Sequence, residues 1–369
     1  MSATTTIPWW VPETGAAERE ALLRVVESNY LNEGDVTAEL ERRTAALFGA
    51  RHGVATTSGT SAIFLALAAL GVGHGDEVLV PDVTFIATAN AVTLTGATPV
   101  LVDIDPSTLA IDIGALERAI TPRTKAVVPV HVSGRAAPMA AILEIGRRRN
   151  IAVVEDAAEA LLSKHEGRCL GTFGVAGCFS FSPNKTVTTG QGGLVVTDDA
   201  ALAVRLRELK DQGRPVRGTG GNDVHGVIGF NFKLTNLQAA VGLGQLGKLE
   251  ARAAHLRSLY RAYSAGLSGV AGIRLLPFDV DHGETPQWVD ALAEERDALV
   301  EHLRHKNIHC REFWFPIHTQ RPYMQSDDQF PVSSRVAPHA VWLPSALQLG
   351  AAQVSLVCDE IRHFYSARS

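Results

Sequence analysis

Short, fully apolar runs alternate with longer amphipathic stretches through the first two thirds of the chain. The runs predicted as β-strands lie at 53–56, 77–80, 99–102, 126–130, 151–154, 177–181 and 194–196. Stretches with the apolar spacing of helices lie before and between them, at 16–28, 36–48, 62–70, 86–94, 113–120, 138–149 and 199–212. Because strands that are apolar on both sides must be covered on both sides, this alternation predicts an α/β fold with a mainly parallel sheet.

The last third of the chain has a different pattern. A glycine-rich segment, 213–229, is predicted to be a mobile loop, and one long helix is predicted over 237–267, with Thr235 or Asn236 as its cap. A strand near 273–276 and helices at 294–306 and 351–365 indicate a smaller α+β unit. We therefore predict two domains: an N-terminal arm with the large domain over 1–245, and a small domain over 246–369.

Composition and charge exclude several classes of protein. The 369 residues are 46% hydrophobic and carry a net charge of −5 without a basic block, so nucleic acid is not an expected partner. The first residues do not have the pattern of a signal peptide, and no apolar stretch has the length of a membrane span. The four cysteines form no Cys-x-x-Cys pair, so no metal site and no disulfide framework is expected. The prediction is a cytoplasmic protein with reduced thiols.

One lysine is isolated among uncharged residues. Lys185 lies in a polar loop between two apolar runs, with no other charged residue between Arg168 and Asp198. A poorly solvated lysine loses its proton easily and becomes a nucleophile, so Lys185 is a candidate for covalent catalysis. The simpler alternative is a solvated surface charge.

Three further features follow strands of the same predicted sheet. Ser-Gly-Thr-Ser at 58–61 precedes a helix, where it could bind a phosphate or simply cap the helix. Asp156 could hold a cationic nitrogen or cap the next helix, and Glu159 lies about one helical turn further on. Phe85 could stack on a planar ring or pack in the core. Together with the isolated lysine, these residues are the set that pyridoxal 5′-phosphate (PLP) requires: a phosphate site, a stacking ring, a partner for the pyridine nitrogen and a covalent anchor.

At these residues the chain resembles the sugar aminotransferases of the DegT/DnrJ/EryC1/StrS family, which are PLP-dependent enzymes of fold type I. The matching segments cover nearly the whole chain and include Ser-Gly-Thr-Ser-Ala at 58–62, Gly-His-Gly-Asp-Glu-Val at 73–78, Gly-Ala-Thr-Pro-Val-Leu-Val-Asp-Ile-Asp at 96–105, Ile-Thr-Pro-Arg-Thr-Lys at 120–125, Glu-Asp-Ala-Ala at 155–158, Phe-Ser-Phe at 179–181, Gly-Gln-Gly-Gly at 190–193 and Gly-Phe-Asn-Phe-Lys-Leu-Thr-Asn-Leu-Gln-Ala-Ala at 229–240. The resemblance implies a large domain with a mainly parallel seven-stranded sheet and a smaller C-terminal α+β domain.

The resemblance also implies a role for each matching residue. Lys185 would be the cofactor's covalent anchor and proton shuttle, and Asp156 the partner of its pyridine nitrogen. The other cofactor-binding residues implied are Gly59, Thr60, Ser61, Phe85, Glu159, Ser180 and Asn231, the last donated by the neighbouring subunit of a homodimer with shared active sites. The positions that match the lining of the substrate cleft are Tyr30, Asn32, Lys233 and His318; taken without the resemblance, His318 is interpreted as a surface histidine.

The implied reaction is transamination in amino-sugar biosynthesis. Glutamate or glutamine would convert PLP to pyridoxamine 5′-phosphate, and the amine would pass to a keto group, first of all C-4, of a nucleotide-linked keto-deoxysugar. Glu159 and the Phe-Pro-x-His loop resemble perosamine-synthase-like members, whereas Gln191 replaces the family's usual glutamate. The alternatives are a 3-keto sugar or a keto-cyclitol of an antibiotic pathway as acceptor, a PLP lyase, and a non-catalytic PLP-binding regulator. The last two lack support, since no cysteine is placed for lyase chemistry and no DNA-binding segment is appended.

Overall fold

The structure, a computed structural model, describes residues 6–215 and 223–368. The predicted mobile loop at 213–229 includes residues 216–222, which lie outside the described residues. The helices are α1 (Ala16–Ser28), α2 (Asp35–Phe48), α3 (Gly59–Ala69), α4 (Ala87–Leu94), α5 (Ile113–Ala119), α6 (Met139–Arg149), α7 (Ala200–Lys210), α8 (Asn236–Leu246), α9 (Leu249–Gly266), α10 (Arg296–His305), α11 (Pro331–Val336) and α12 (Ala351–Ser366). The strands are β1 (His52–Thr56), β2 (Glu77–Pro81), β3 (Thr98–Val102), β4 (Thr124–Val127), β5 (Ala152–Asp156), β6 (Lys164–His165), β7 (Arg168–Cys169), β8 (Ala176–Ser180), β9 (Gly193–Thr197), β10 (Ile273–Leu275), β11 (Val289–Ala293), β12 (Arg311–Glu312) and β13 (Ala340–Leu343).

Seven strands form the central sheet, in the order β1-β9-β8-β5-β4-β2-β3. The pairs from β8 to β3 are parallel, and β9 alone runs against both of its neighbours. Helices α3, α4 and α7 pack on one face of this sheet, and helices α2, α5, α6 and α8 contribute to the clusters on the other. The predicted mainly parallel, seven-stranded sheet is therefore confirmed, and its burial on both faces explains the apolar runs.

A second sheet lies near the C-terminus and has the order β10-β11-β13-β12, with antiparallel pairing throughout. Helices α9, α10 and α12 pack on it through a separate apolar cluster. Only β10 was predicted from the pattern. Strand β11 reads Val-Asp-Ala-Leu-Ala, so it lacks the β-branched run that marks the strands of the large sheet. Among the described residues, no helix combines the length and apolar character needed to cross a membrane.

The single long helix predicted over 237–267 is wrong, because the chain forms two helices there with a break at Gly247 and Lys248. Three glycines at 242, 244 and 247 weaken the helix, each by about 1 kcal/mol relative to alanine. Gly244 also lies against α1, where an added Cβ would be 3.0 Å from the backbone nitrogen of Glu18. The glycines thus allow close packing on α1 at the expense of helix continuity. The break lies next to the predicted domain boundary at 245/246, which stays a prediction.

The N-terminal arm connects the second sheet to the loop that carries Lys185. Ile7 exchanges backbone hydrogen bonds with the segment at 307–309, and the carbonyl of Trp9 accepts from the amide of Ser345 at 2.9 Å. Trp10 donates from its indole nitrogen to the carbonyl of Pro183 at 3.2 Å. The arm therefore positions the lysine loop as well as covering the small sheet.

Candidate active site

A cavity of about 300 Å³ lies at the carboxyl ends of the parallel strands of the large sheet. Its lining comes from six places that are far apart in the sequence: the start of α3, the segment after β2, the segment after β4, the end of β5, the β8–β9 loop and the C-terminal sheet. The polar and aromatic residues of this lining include Ser58, Gly59, Thr60, Thr84, Phe85, Asp156, Glu159, Ser180, Ser182, Lys185, Gln191, Trp288, Arg311, Trp314 and Trp342.

The first turn of α3 forms one wall of the cavity. Its amide groups have no acceptor within the helix, and the positive end of the helix dipole lies there. Gly59 packs against the end of β8 so closely that an added Cβ would lie 2.8 Å from the Cβ of Ser180. Thr60 and Ser180 add hydroxyl groups to the same wall. The arrangement is suited to a phosphate group.

Ser61 belongs to the structure that supports this wall and does not line the cavity. Its amide donates to the hydroxyl of Ser58 at 3.1 Å, and its own hydroxyl accepts from the amide of Ser58 at 2.9 Å. The same hydroxyl lies 2.9 Å from that of Thr56. This reciprocal capping box starts α3 at Gly59, three residues before the predicted start.

Asp156 is the last residue of β5 and is 6% exposed. One carboxylate oxygen accepts from the hydroxyl of Thr88 at 2.8 Å, and the other accepts from the amide of Ala158 at 3.1 Å. Burial raises the pKa of the Asp156 carboxyl, and these hydrogen bonds offset only part of that effect. A buried carboxylate of this kind is stabilised by a cation placed in the cavity.

Lys185 and Glu159 form a buried ion pair in the same cavity. The Nζ of Lys185 lies 3.0 Å from Oε1 of Glu159, and the two side chains are 10% and 5% exposed. The other carboxylate oxygen of Glu159 accepts from the amide of Ser133 at 2.9 Å. Burial raises the pKa of Glu159 as well, against the opposing effect of Lys185. The lysine also lies 4.8 Å from the ring centre of Trp288, so an aromatic face covers its amine.

Phe85 follows β2 and lines the cavity while remaining 54% exposed. Such exposure is unusual for a phenylalanine and leaves its ring available to a planar group. The structure thus brings together eight of the predicted residues around one cavity: Gly59, Thr60, Phe85, Asp156, Glu159, Ser180 and Lys185 in its lining, and Ser61 in its support.

Four other predicted residues do not line this cavity. Tyr30 and Asn32 are exposed in the turn between α1 and α2. Asn231 is exposed beside its backbone bridge partner Asp211, and Lys233 pairs with the carboxylate of Asp211 at 2.6 Å. Their assignment to cofactor or substrate contacts therefore stays a prediction.

His318 is neither on the surface nor in the cavity lining, because its side chain is fully buried. Its Nδ1 lies 2.6 Å from the carboxylate of Asp82, its Nε2 lies 3.0 Å from that of Asp327, and its ring stacks on Phe330. Burial also raises the pKa of Asp82. The histidine fixes the loop at 315–320 against the end of β2. Its role in the substrate cleft stays a prediction.

The contribution of the C-terminal sheet to the cavity was not predicted. Trp288, Arg311, Trp314 and Trp342 all line it. A usable signal was available, because the chain has only five tryptophans and all five pack into one aromatic cluster beside the cavity. Tryptophan combines a large apolar ring with one polar group and is enriched at interfaces, so the positions of the tryptophans are the signal that the sequence offered.

The sequence profile of the DegT/DnrJ/EryC1/StrS aminotransferase family matches residues 12–362. The chain belongs to this family. A GDP-perosamine synthase of Escherichia coli O157:H7 is 36% identical over 365 residues, which cover 98% of this chain and 99% of that protein. Of the solved structures, DesI in the presence of its TDP-sugar product is 32% identical with a TM-score of 0.90, over 99% of this chain and 96% of the other. Spr1654 from Streptococcus pneumoniae, solved in its PLP form, is 25% identical with a TM-score of 0.93, and the match covers 98% of this chain and 99% of the other.

Membership of the family confirms the expectation of an aminotransferase, and the cavity fits the cofactor that this family uses. The helix end beside Gly59 fits the phosphate, the buried carboxylate of Asp156 fits a protonated ring nitrogen, and Lys185 has its amine inside the cavity. Each of these groups is oriented by hydrogen bonds or packing that the chain itself supplies. The site therefore has the residues needed to hold PLP.

Proposed function

We propose that this protein transfers an amino group from glutamate or glutamine to the C-4 keto group of a nucleotide-linked keto-deoxysugar. The observation that carries the proposal is the cavity in which Lys185, Glu159 and Asp156 lie together beside the anion-binding end of α3. The similarity to a GDP-perosamine synthase favours a GDP-linked acceptor, and that to DesI makes a TDP-linked sugar the second candidate.

When bound, PLP supplies an aldehyde that takes up the amino group and a ring that withdraws electrons from the reacting carbon. Asp156 would keep the ring nitrogen protonated through a charge-assisted hydrogen bond, which the hydroxyl of Thr88 orients by holding the carboxylate at 2.8 Å. Gly59, Thr60 and Ser180 would hold the phosphate at the end of α3, and Phe85 would pack against the ring. These contacts fix the reacting group in one orientation.

Lys185 would anchor the cofactor and then move a proton to and from the reacting carbon. Glu159 is placed to stabilise the ammonium form of this lysine, because its carboxylate lies 3.0 Å from Nζ. The amide of Ser133 fixes that carboxylate, and Trp288 keeps water away from the amine. The proton can therefore stay within the cavity during transfer.

We also propose that the enzyme is a homodimer with shared active sites and a cytoplasmic location. Asn231, Tyr30 and Asn32 are exposed and lie outside the cavity of their own chain. In a dimer these residues would complete the cavity of the neighbouring subunit. The mixing of inactive Lys185 and Asn231 variants tests this point, because shared sites restore part of the activity in mixed dimers.

The Lys185→Ala variant tests the central claim. Transamination should fall on the order of 10⁴-fold, because the covalent anchor and proton shuttle are lost together. The measurement is the absorbance change of the bound cofactor after addition of glutamate or glutamine. A second assay then measures the amination of GDP-, TDP- and UDP-linked 4-keto and 3-keto deoxysugars and of a keto-cyclitol.

The matched control is Lys306→Ala, which removes a half-exposed lysine that follows α10 and lies near Glu360. It should leave both measurements unchanged. Retention of transamination by Lys185→Ala would contradict the proposal. Catalytic cleavage of an amino acid without any acceptor would favour a lyase instead.

A further inference from the structure

A buried glutamine outside the cavity lining holds both neighbours of Lys185 in the chain. Gln287 lies just before β11 and is 1% exposed. Its Oε1 accepts from the amide of Thr186 at 3.2 Å and from the hydroxyl of the same residue at 2.8 Å. Its Nε2 donates to the carbonyl of Asn184 at 3.2 Å. Because a backbone amide can only donate and a carbonyl can only accept, these contacts determine the orientation of the side-chain amide.

The backbone of Gln287 is linked to the partner of the same lysine. Its amide donates to the carbonyl of Ser133 at 2.7 Å, and the amide of Ser133 donates to Oε2 of Glu159 at 2.9 Å. The other carboxylate oxygen of Glu159 lies 3.0 Å from Nζ of Lys185. Two routes of hydrogen bonds therefore run from Gln287 to this ion pair, one through the lysine loop and one through Ser133.

Ser133 has a backbone conformation that serine rarely adopts, with φ 52° and ψ 19°. The left-handed region is unfavourable for a residue with a Cβ atom and persists where surrounding contacts impose it. Here these contacts come from the C-terminal part of the chain. Gln287 holds the carbonyl of Ser133, and the indole nitrogen of Trp342 donates to its hydroxyl at 3.1 Å. The carboxylate of Glu159 is thus fixed by a strained residue that the C-terminal sheet holds in place.

A second residue of the C-terminal part also holds the lysine loop. The guanidinium of Arg252 in α9 donates to the carbonyl of Thr186 at 2.8 Å. Its other hydrogen bonds go to Gln245 and Glu13, which lie away from the ion pair. Gln287, by contrast, is linked to both members of the pair. It is therefore the residue through which the C-terminal sheet can set their relative position.

We propose that Gln287 is a positioning residue that sets the placement of Lys185 against Glu159 for proton transfer. This inference rests on the proposed function and deepens it, since it adds a residue that acts through the lysine and does not line the cavity. Proton transfer by a side chain depends on its distance and direction to the reacting carbon. Loss of the side-chain amide of Gln287 would release the lysine loop. The rate of proton transfer would fall, while the binding of glutamate would change little.

The test compares four variants. Gln287→Met keeps the length of the side chain and removes both of its hydrogen-bonding groups. Thr186→Val removes the hydroxyl that donates to Gln287, and Thr186→Ser keeps it. The control is Tyr365→Phe, which removes a hydroxyl that donates to the carbonyl of Glu294 at 2.8 Å in the apolar cluster of the second sheet. Thermal unfolding compares the stability of all four.

Single-turnover absorbance of each holoenzyme measures the maximal rate with glutamate and the half-saturating concentration. Gln287→Met should lower the maximal rate by about 10- to 100-fold and change the half-saturating concentration by less than about twofold. Thr186→Val should lower the rate by about 3- to 10-fold, and Thr186→Ser should stay within about twofold of the wild type. Because Gln287 and Thr186 act through one contact, the Gln287→Met/Thr186→Val double variant should be about as slow as Gln287→Met alone.

A second measurement does not depend on the reaction. Acetic anhydride acetylates free amines, and mass spectrometry follows its reaction with Lys185 in the cofactor-free full chain, relative to the exposed Lys125. In the wild type the side chain of Lys185 is 10% exposed and paired with Glu159, which slows acetylation. Gln287→Met should raise the rate at Lys185 by about 3- to 10-fold, because the amine is released from its partner. Tyr365→Phe should match the wild type.

Unchanged kinetics and unchanged acetylation in Gln287→Met would overturn the inference. Equal losses of rate in Gln287→Met and Tyr365→Phe would also overturn it, because the effect would then be one of general stability. Additive losses in the double variant would mean that Gln287 does not act through Thr186. If Gln287→Met does not fold, the comparison of Thr186→Val with Thr186→Ser tests the same contact from its other side.

These outcomes are separate from a failure of the proposed function. A wild-type protein that reacts with neither glutamate nor glutamine would contradict the proposed transamination. The acetylation rates of Lys185 in the wild type and in Gln287→Met would still decide whether Gln287 holds the lysine against Glu159.

Discussion

The cofactor cavity and a more open cleft beside it, here called the outer cleft, differ in whether their charged side chains are paired. The outer cleft shares Thr84, Phe85, Arg311 and Trp314 with the cavity and extends to Phe315. In the cavity, Lys185 and Glu159 are paired at 3.0 Å, and the carboxylate of Asp156 accepts two hydrogen bonds from its own chain. In the outer cleft, Arg311 is exposed and is oriented by aromatic rings with no ion pair to the described residues. The first region is arranged to hold one group in one place, whereas the cation of the second is exposed to solvent.

This difference follows from the cost of burying charge. A buried charge is tolerated when it is paired and hydrogen-bonded, whereas an exposed guanidinium is solvated and needs no permanent partner. Asp156 is the extreme case, since no side-chain cation of the chain pairs with it among the described residues and burial raises its pKa. Its environment becomes favourable once a cationic ring is bound. The cavity is therefore suited to a cationic group such as a protonated cofactor ring, and the outer cleft stays solvated without one.

Asp156→Asn should have the largest effect among the variants that test this comparison. Removal of the buried carboxylate leaves the ring nitrogen without a charged partner, which costs about 3–5 kcal/mol, or roughly 150- to 5,000-fold in transamination rate. Single-turnover absorbance with glutamate measures this loss. Asp281→Asn, at a surface aspartate that pairs with Arg261, is the control. A loss below about tenfold would contradict the role of Asp156.

The same substitution should change the pH dependence of stability in the cofactor-free protein. Because the pKa of Asp156 is raised, the folded state binds the proton more tightly than the unfolded state. The free energy of unfolding therefore decreases as the pH rises from the unfolded pKa to the folded pKa, and the effect is constant above that window. In the Asp156→Asn variant this contribution to the pH-dependent decrease in the free energy of unfolding should be absent. Thermal unfolding of both cofactor-free proteins from about pH 4 to about pH 7 measures the difference.

Glu159→Gln should have an intermediate effect, with a rate of proton transfer lower by about tenfold. The raised pKa of Glu159 places its protonation above the usual range for glutamate. As the pH falls through that pKa, the carboxyl takes up a proton and stops pairing with Lys185, so activity decreases on the acid side. The glutamine variant still accepts from the amide of Ser133 but has no such titration. The measurement is the pH profile of the glutamate half-reaction in both proteins. If activity still decreases at low pH in Glu159→Gln, the titrating group is not Glu159.

The predicted residues that the structure brings together at the cavity are mainly those that follow a strand end. Asp156 and Lys185 each follow an apolar run, and the carboxyl ends of parallel strands meet at one edge of a sheet. Local pattern and topology made these two residues candidates beside the alternatives of a surface charge and a helix cap, and the family resemblance supplied their roles. Gly59 and Thr60 were predicted because they precede a helix whose N-terminus can bind an anion and because they match the family's phosphate site, although the pattern placed the start of α3 three residues too late.

The features that were missed depend on contacts between distant segments. Gly244, next to the break at Gly247, allows close packing on α1, and the burial of His318 accompanies its contact with Asp82, which is 236 residues away. The cavity lining by Trp288 and Arg311 requires the second sheet to lie against the first, and the strands of that sheet are short and contain polar residues. The hydrophobic periodicity of a single segment cannot predict contacts between segments that are far apart in the sequence. Here the informative sequence feature was the rarity of tryptophan.

Phe85 lines both regions. Its substitution should have the smallest effect of these variants, a modest loss of affinity for PLP that a substitution of Phe315 should not cause. Phe85→Leu keeps apolar volume but removes the flat ring, so PLP should bind more weakly by about 0.5–1.5 kcal/mol, roughly 2- to 12-fold. Phe315→Leu removes a ring that lines the outer cleft alone and should leave the affinity for PLP unchanged. Equilibrium dialysis of PLP against both variants makes the comparison. Equal losses of PLP affinity in the two variants would mean that the outer cleft also supports the cofactor. The distinction between the cofactor cavity and the outer cleft would then be wrong.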